Sequence, residues 1–538
     1  MSAPKPGAPA PARREARPED IRRSDEASGV LAPPTGTGGQ GAIDLQPFDR
    51  RVFPIAAGVF ALLMAFSARY GFHRDELYFL DCARHLALSY VDQPLFTPFV
   101  ARVALALFGV SVVGLRLFSA LAAAATVVCG GALAREFGGG SRAQLLSALG
   151  CAASPALIGA DHLMGPTAFD ILAWTGLALI VVRIGRTGNL RLWPVAGVVL
   201  GLGLTNKHSI GFFALALVIG TVASGGWRLF ANRWFAFCAL IAGLFTVPDL
   251  WWQAHHDWAT IAMTRALNQE NGGLGKIPGF ILSQAIMASP VLIPVWAWGL
   301  RALWRSDRQL WRALAWSYGI LVVFFMLTAG AKPYYVAGTY MYLVPAGVVA
   351  IEPALASATN RVRRMVFWLG VSVLVTLPLT LPVLPPSDTA FTAGINPVLT
   401  ESVGWPQLVA EVDRAWSSLT PAQRSVGVIF TSNYGEEGAI NELGRRLSLP
   451  EAVGGHNNDW WWGPGRPDAR VVLAVAPGPK DVTDYDEYLR LFFGRVVQVA
   501  TITNPEHLAN QEYGGHIYLC TGPRLPWGQM WPELRHYS

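Results

Sequence analysis

Residues 52–78 read VFPIAAGVFALLMAFSARYGFHRDELY. An uncharged apolar run opens the segment, and a few residues later the chain turns to His73-Arg74-Asp75-Glu76. An apolar run of this kind belongs in lipid, and a cluster of ionisable residues at its end belongs at a membrane face. The same alternation recurs along the chain. Candidate spans fall at roughly 52–70, 115–133, 143–159, 167–184, 192–205, 209–225, 235–250, 279–300, 313–330, 334–352 and 365–384. The expected fold class is therefore a polytopic α-helical membrane protein of about eleven transmembrane helices.

Composition agrees. Of 538 residues, 52% are hydrophobic and only 14% charged, against roughly 25% charged in soluble domains. Mean hydropathy is +0.34. Charge is sparse from about 52 to 385 and ordinary afterwards. The net charge of +6 comes largely from arginines in the N-terminal tail and in short loops, where topology accounts for it, so no nucleic-acid partner is implied. Residues 1–48 are rich in Pro, Ala, Gly and Arg and are expected to be a disordered cytoplasmic tail. The five cysteines show no zinc-type spacing, and a Cys82–Cys520 disulfide is not expected.

The run 95–112 decides the orientation. The basic loops are Arg135/Arg142, Arg183/Arg186/Arg191, Arg228/Arg233, Arg301/Arg305/Arg308/Arg312 and Arg361/Arg363/Arg364. If 95–112 does not cross, all of them share the cytoplasmic side with the basic tail, as the positive-inside rule requires. The run is then expected to lie at the outer interface. The N-terminus falls inside, and everything after the last span falls outside. That region, 386–538, changes register. Strand-like Val426–Phe430 and Val471–Val475 alternate with helical Pro406–Ser417 and Glu436–Leu447, which reads as a soluble α/β domain.

The outward segments hold the chemistry. The first outer loop, 71–114, contains the Asp75-Glu76 pair and Asp92. Adjacent carboxylates on a helix point about 100° apart, so one can face a cavity while the other makes a structural pair. A solvated helix end is the alternative. Asp161-His162 ends a span and reads as a metal-ligand pair, a second acid or a hydrated cap. A metal site would need a third ligand such as Asp75, which leaves a divalent metal cofactor open. Lys207 and Lys332 are lone outward cations. They suit an anionic lipid phosphate, or else snorkel to the interface. Tyr334 and Tyr335 fit an aromatic belt as readily as a site. In the C-terminal region, Asn433-Tyr434-Gly435-Glu436-Glu437-Gly438 follows a strand and opens a helix. Gly455-His456-Asn457-Asn458-Asp459, before Trp460-Trp461-Trp462, offers stacking surfaces for a sugar or an anchor to the membrane region.

Taken together, Phe72–Tyr78 and Tyr90-Val91-Asp92-Gln93-Pro94 resemble the first outer loop of protein-mannosyltransferase-like glycosyltransferases, the family 39 type within the GT-C fold. Asp161–Asp170, Gly203–His208 and Lys332–Tyr335 resemble later motifs of that family, and the resemblance covers about residues 50 to 530. It implies a GT-C-like catalytic domain over 49–385, a polyprenyl-phosphate-linked sugar donor, an extracytoplasmic acceptor (protein, lipid or cell-envelope glycan), membrane lipids as surroundings, and inversion at the anomeric carbon. Asp75 would be the general base, with Glu76 beside it. His73, Arg74, Tyr78, Asp92, Asp161, His162, Lys207, Lys332, Tyr334 and Tyr335 would contact substrate. Two departures bear on the donor contacts: Pro94-Leu95 where the family often has two prolines, and His208 where a Tyr often follows the lysine. A multi-pass transporter or flippase of lipid-linked sugars is the competing reading, but its usual midplane charges and repeats are not visible.

Overall fold

The computed structural model describes residues 45–270, 277–328, 331–356, 359–478 and 484–537. The expected tail, 1–48, lies outside the described residues except for its last four positions. The described residues form one compact unit.

Each expected span is helical over most of its described residues. Among the described residues, six helices are long and apolar enough to cross a membrane: Val112–Glu136, Pro166–Thr187, Arg233–His255, Gln309–Leu327, Pro333–Leu355 and Thr359–Thr380. Two bent helix pairs are apolar enough when taken together, Ser141–Ala152 with Pro155–Asp161 at 55° and Ile277–Ala288 with Pro290–Trp304 at 87°. Proline opens the second half of each pair, because it lacks the amide hydrogen that would continue the first. The apolar helices Val52–Phe66, Leu190–Leu204 and Ser209–Ala223 are shorter. Among the described residues this makes six candidate spans by length and composition, or up to eight if each bent pair is one span, where about eleven were expected. The run expected at the interface forms Phe96–Phe108, 13 residues that stop at Gly109 with φ 65°.

Small residues let the membrane helices touch through their backbones. A Cβ on Gly347 would lie 1.9 Å from the Val295 carbonyl oxygen, and one on Gly299 would lie 2.1 Å from that of Leu343. Close approach of this kind replaces the hydrophobic drive that lipid removes.

Beyond the last membrane helix, short turns at Pro386–Thr389, Ala390–Ala393 and Pro397–Ser402 lead into a five-stranded mixed sheet. Its strands are β1 (Gly427–Thr431), β2 (Ala452–Gly454), β3 (Val471–Val475), β4 (Phe493–Thr501) and β5 (His516–Pro523), in the order β2-β1-β3-β5-β4. β1 pairs parallel with β2 and β3, while β5 pairs antiparallel with β3 and β4. The uninterrupted apolar run of β3 is buried along its length, as a central strand covered on both faces requires. Helices Trp405–Ser417 and Tyr434–Leu443 supply one face of the core, and Trp527 and Trp531 the other. Cys82 and Cys520 are both free.

The helix Arg74–Arg84 of the first outer loop joins the two regions. Leu77 belongs to the core under the sheet, beside Trp405 and Ile440. Two glycines of the Asn433–Gly438 motif permit this contact. A Cβ on Gly438 would sit 2.7 Å from the Leu77 carbonyl group, and one on Gly435 would sit 2.2 Å from Arg74 Cγ. Those glycines serve helix-to-helix approach.

Candidate active site

The site grows from the start of helix Arg74–Arg84. His73 is its N-cap. The His73 ring accepts from the Asp75 amide at 3.1 Å, and the Glu76 carboxylate accepts from the His73 amide at 2.8 Å. The reciprocal pair satisfies amides that a helix start leaves without partners. It also fixes the two carboxylates in different directions.

Glu76 points inward and is fully buried. Arg116, from the membrane helix Val112–Glu136, donates to both its oxygens at 2.8 and 2.7 Å, and the Met164 amide also donates to it at 2.9 Å. Arg116 also donates to the carbonyls of Ser67 and Gly71 at 2.8 and 2.9 Å. Glu76 is thus a pairing group that clamps the loop to the membrane helices. It had been expected to share the catalytic position with Asp75; it stands off the cavity because its oxygens are already taken.

Asp75 points the other way, into a cavity of about 440 Å³, and its side chain is 43% exposed. The Tyr434 hydroxyl, from the C-terminal region, donates to its Oδ1 at 3.0 Å. Arg74 Nε stands 3.8 Å from the same oxygen, and its guanidinium lies over the Tyr434 ring at 5.2 Å. Burial pushes the Asp75 carboxyl up, but the charges of His73 and Arg74 and the Tyr434 hydrogen bond outweigh it. The net result is an acid stronger than an ordinary aspartic acid. Burial acts against protonated His73, yet Glu401, 3.2 Å from its Nε2, together with Asp75 holds its pKa above the usual histidine value.

His73, Asp75, Tyr78, Asp92, Lys207, Tyr334 and Tyr335 all line this one cavity. Tyr78 donates to Asp92 Oδ1 at 2.8 Å, and burial raises the Asp92 pKa to about 6. Lys207 is positioned by its loop. Asn206 accepts from the Thr97 hydroxyl at 2.8 Å and donates to the Pro166 carbonyl at 2.7 Å. The Lys207 ammonium then reaches Thr167 Oγ1 at 3.3 Å and faces the rings of Tyr335 and Tyr334 at 4.6 and 5.2 Å. The rest of the wall is largely apolar, with Pro155, Leu163, Met164, Ile286, Met287 and Leu379.

Other expected site residues stand elsewhere. Arg74 is beside the cavity, held by the Tyr434 ring and the Gln511 side chain. Asp161 and His162 are buried behind the wall, and the Asp161 oxygens have no hydrogen-bond partner among the described residues. Lys332 is exposed, just before the turn Pro333–Thr339, and does not line the cavity. The metal set Asp75, Asp161 and His162 is not assembled: among the described residues no group of three His, Cys, Asp or Glu side chains is arranged to hold a metal ion. His208, one of the two departures, lies 2.8 Å from Asp249.

The sequence reading passed over Arg116, Glu401 and Thr167. Arg116 carried a usable signal, since a charge inside an apolar run calls for a buried partner. Glu401 carried none. Tyr434 lay in a motif already singled out, but its reach to Asp75 depends on how the two regions dock.

Residues 92–252 match a family model described as dolichyl-phosphate-mannose-protein mannosyltransferase. Among solved structures, the chain is similar to ArnT from Cupriavidus metallidurans in the apo state. That match has 14% identity and a TM-score of 0.60, and covers 87% of this chain and 97% of that one. The same protein bound to undecaprenyl phosphate matches with 14% identity, a TM-score of 0.58 and the same coverage. No curated protein sequence matches. The resemblance to protein-mannosyltransferase-like glycosyltransferases is borne out by the family match, and the GT-C-like fold by the structural one.

Proposed function

We propose that this membrane glycosyltransferase of the GT-C type moves a sugar from a polyprenyl-phosphate donor to an extracytoplasmic acceptor, with Asp75 as general base. The observation that carries the reading is the meeting of Asp75 and Lys207 on one largely apolar cavity. A polyprenyl-phosphate sugar needs a cation for its phosphate, an apolar wall for its first isoprene units and a base beyond the anomeric carbon. The solved ArnT complex with undecaprenyl phosphate supports a donor of this class.

The donor phosphate sits against Lys207, with the lipid along the Leu163, Met164 and Met287 side. An acceptor hydroxyl approaches from the Asp75 side. Its oxygen forms a bond to the anomeric carbon as the bond from that carbon to the phosphate oxygen breaks. The hydroxyl proton passes to Asp75, and the electron pair leaves with the polyprenyl phosphate. Attack opposite the leaving group inverts the anomeric centre. The departing phosphate is already a stable anion, so positioning and charge neutralisation carry most of the acceleration. In this reading the basic loops and tail are cytoplasmic, and the cavity and the sheet region 386–538 face outward.

The test is an assay of the purified full-length protein with a panel of polyprenyl-phosphate sugars, following release of free polyprenyl phosphate. Release with at least one donor is expected. Translocation of intact lipid-linked sugar in vesicles, without release from any donor, would replace the transferase by a flippase.

A further inference from the structure

A second cavity, of about 1050 Å³, lies on the side of the C-terminal sheet. It shares Asp92, Tyr334, Tyr335 and Tyr434 with the chamber that holds Asp75. The two volumes therefore adjoin at Tyr434, whose hydroxyl touches Asp75.

The walls differ in chemistry. Beside a few aliphatic side chains such as Met263 and Leu534, the second cavity presents rings and amides. A file of rings runs away from the chamber: Tyr78 to Tyr434 at 4.8 Å, Tyr434 to His456 at 4.7 Å, and His456 to His536 at 5.0 Å. Tyr485 and Tyr488, 5.5 Å apart, stand on another part of the wall. Between the rings lie two amide side chains with unused capacity. Asn433 and Asn457 are 6% and 5% exposed, and neither Asn433 Nδ2 nor Asn457 Oδ1 has a hydrogen-bond partner among the described residues. Asn433 cannot turn to escape, because its Oδ1 accepts from the amides of Gly435 and Glu436 at 2.9 and 3.0 Å. Asn457 is anchored through its amide, which donates to the His536 carbonyl at 3.1 Å. Asn433 and Asn457 both line the cavity, and amide side chains in such a wall suit a ligand whose groups both donate and accept.

That ligand is neutral. Arg74 and Arg535 share the cavity wall with Asp92 and Glu533, so the formal charges balance. Both guanidiniums are also engaged: Arg74 over Tyr434, Arg535 over Trp460 and Trp461 at 4.5 and 4.7 Å. One way for an extended peptide to bind is to add a strand to a free sheet edge. Beside β2 that position is filled by the chain's own C-terminal residues, where His536 bridges His456 and the Leu534 carbonyl oxygen occupies the space a Cβ on Gly455 would need. Sugar rings meet the remaining requirements. Their hydroxyls both donate and accept, and their C–H faces stack on aromatic rings.

We propose that this second cavity is the acceptor subsite and binds a neutral glycan, one hydroxyl of which reaches Asp75 past Tyr434. The assignment rests on the glycosyltransferase reading above, and it names the acceptor as carbohydrate rather than protein.

The test uses purified full-length protein in nanodiscs without donor. Labelled neutral tetrasaccharides built from glucose, mannose, galactose or arabinose are titrated in one arm, and a labelled Ser/Thr-rich peptide in the other. At least one tetrasaccharide should bind saturably, and Asn457→Ala and Tyr485→Ala should each weaken it by about tenfold. Undecaprenyl phosphate binding, measured on the same variants, should not change and shows that they are folded. Absence of tetrasaccharide binding, undiminished binding in folded variants, or peptide binding lost in those variants would overturn the proposal. Should the variants misfold, photo-crosslinking a bound tetrasaccharide in the wild-type protein decides: adducts at Tyr485 or Tyr537 support the subsite, and adducts confined elsewhere refute it. Loss of undecaprenyl phosphate binding in the wild-type protein with glycan binding intact would count against the donor reading alone.

Discussion

Asp75→Asn separates the proposed base from its surroundings. The amide keeps the size of the carboxylate, and its oxygen can still accept from Tyr434, now 3.0 Å away. Arg74 keeps Glu401, 3.7 Å from its Nη2. The lost element is the site that receives the proton. Loss of a general base lowers turnover by about 10²–10⁴-fold, or roughly 3–5 kcal/mol of transition-state stabilisation. Donor affinity should change little, since the anionic donor loses only a repulsive neighbour. The assay is release of polyprenyl phosphate under saturating donor, run across pH. A base must be deprotonated to act, so the rate falls as pH drops through its pKa. The Asp75 pKa lies below the ordinary 3.8, so wild-type kcat/KM should stay flat through mildly acidic pH. Asp92, on the same cavity, has a pKa near 6 and would place the limb there. Near-normal turnover of folded Asp75→Asn refutes the assignment. A limb near 6 that survives in Asp75→Asn and disappears in Asp92→Asn would transfer the role to Asp92. Asp161, the alternative suggested by sequence alone, does not line the cavity.

Glu76→Gln leaves Arg116 buried without its counter-charge, and breaking one side of such a pair costs about 3–5 kcal/mol. It should appear as a lower unfolding temperature and poor recovery in detergent, while any protein that folds keeps substantial turnover. Gly438→Ala drives a methyl into the Leu77 backbone, which cannot turn aside. A loss of about 1–3 kcal/mol, read as a lower Tm and faster proteolysis near residue 434, is expected; an unchanged Tm would mean that the two helices are not in backbone contact. Lys207→Met should raise the donor KM by roughly 10- to 100-fold, the scale of a lost charged hydrogen bond, and an unchanged KM would remove Lys207 from the phosphate site. Val113→Cys, at an exposed position, should react with an impermeant reagent added outside intact cells. Labelling only after permeabilisation would show that Phe96–Phe108 crosses the membrane.

Two kinds of information separate along this chain. Its membrane character, the places of its helices and the strands Gly427–Thr431 and Val471–Val475 were legible in the sequence. Hydropathy and periodicity are local, and each window carries its own signal. The capping pair of His73 and Glu76 is equally local, so the divergence of Asp75 from Glu76 could be read from the 100° helical step. Which carboxylate faced the cavity could not. That depended on Arg116, 40 residues further on, which buries Glu76 against the membrane helices. Lys207 and Lys332 looked alike as lone outward cations, and only the tie from Asn206 to Thr97 and Pro166 turned Lys207 into the chamber. Tyr434 reaches Asp75 across 359 residues because Gly435 and Gly438 let two helices close to backbone contact. Pairings of this kind depend on docking between distant segments, and no local window records which segments will dock.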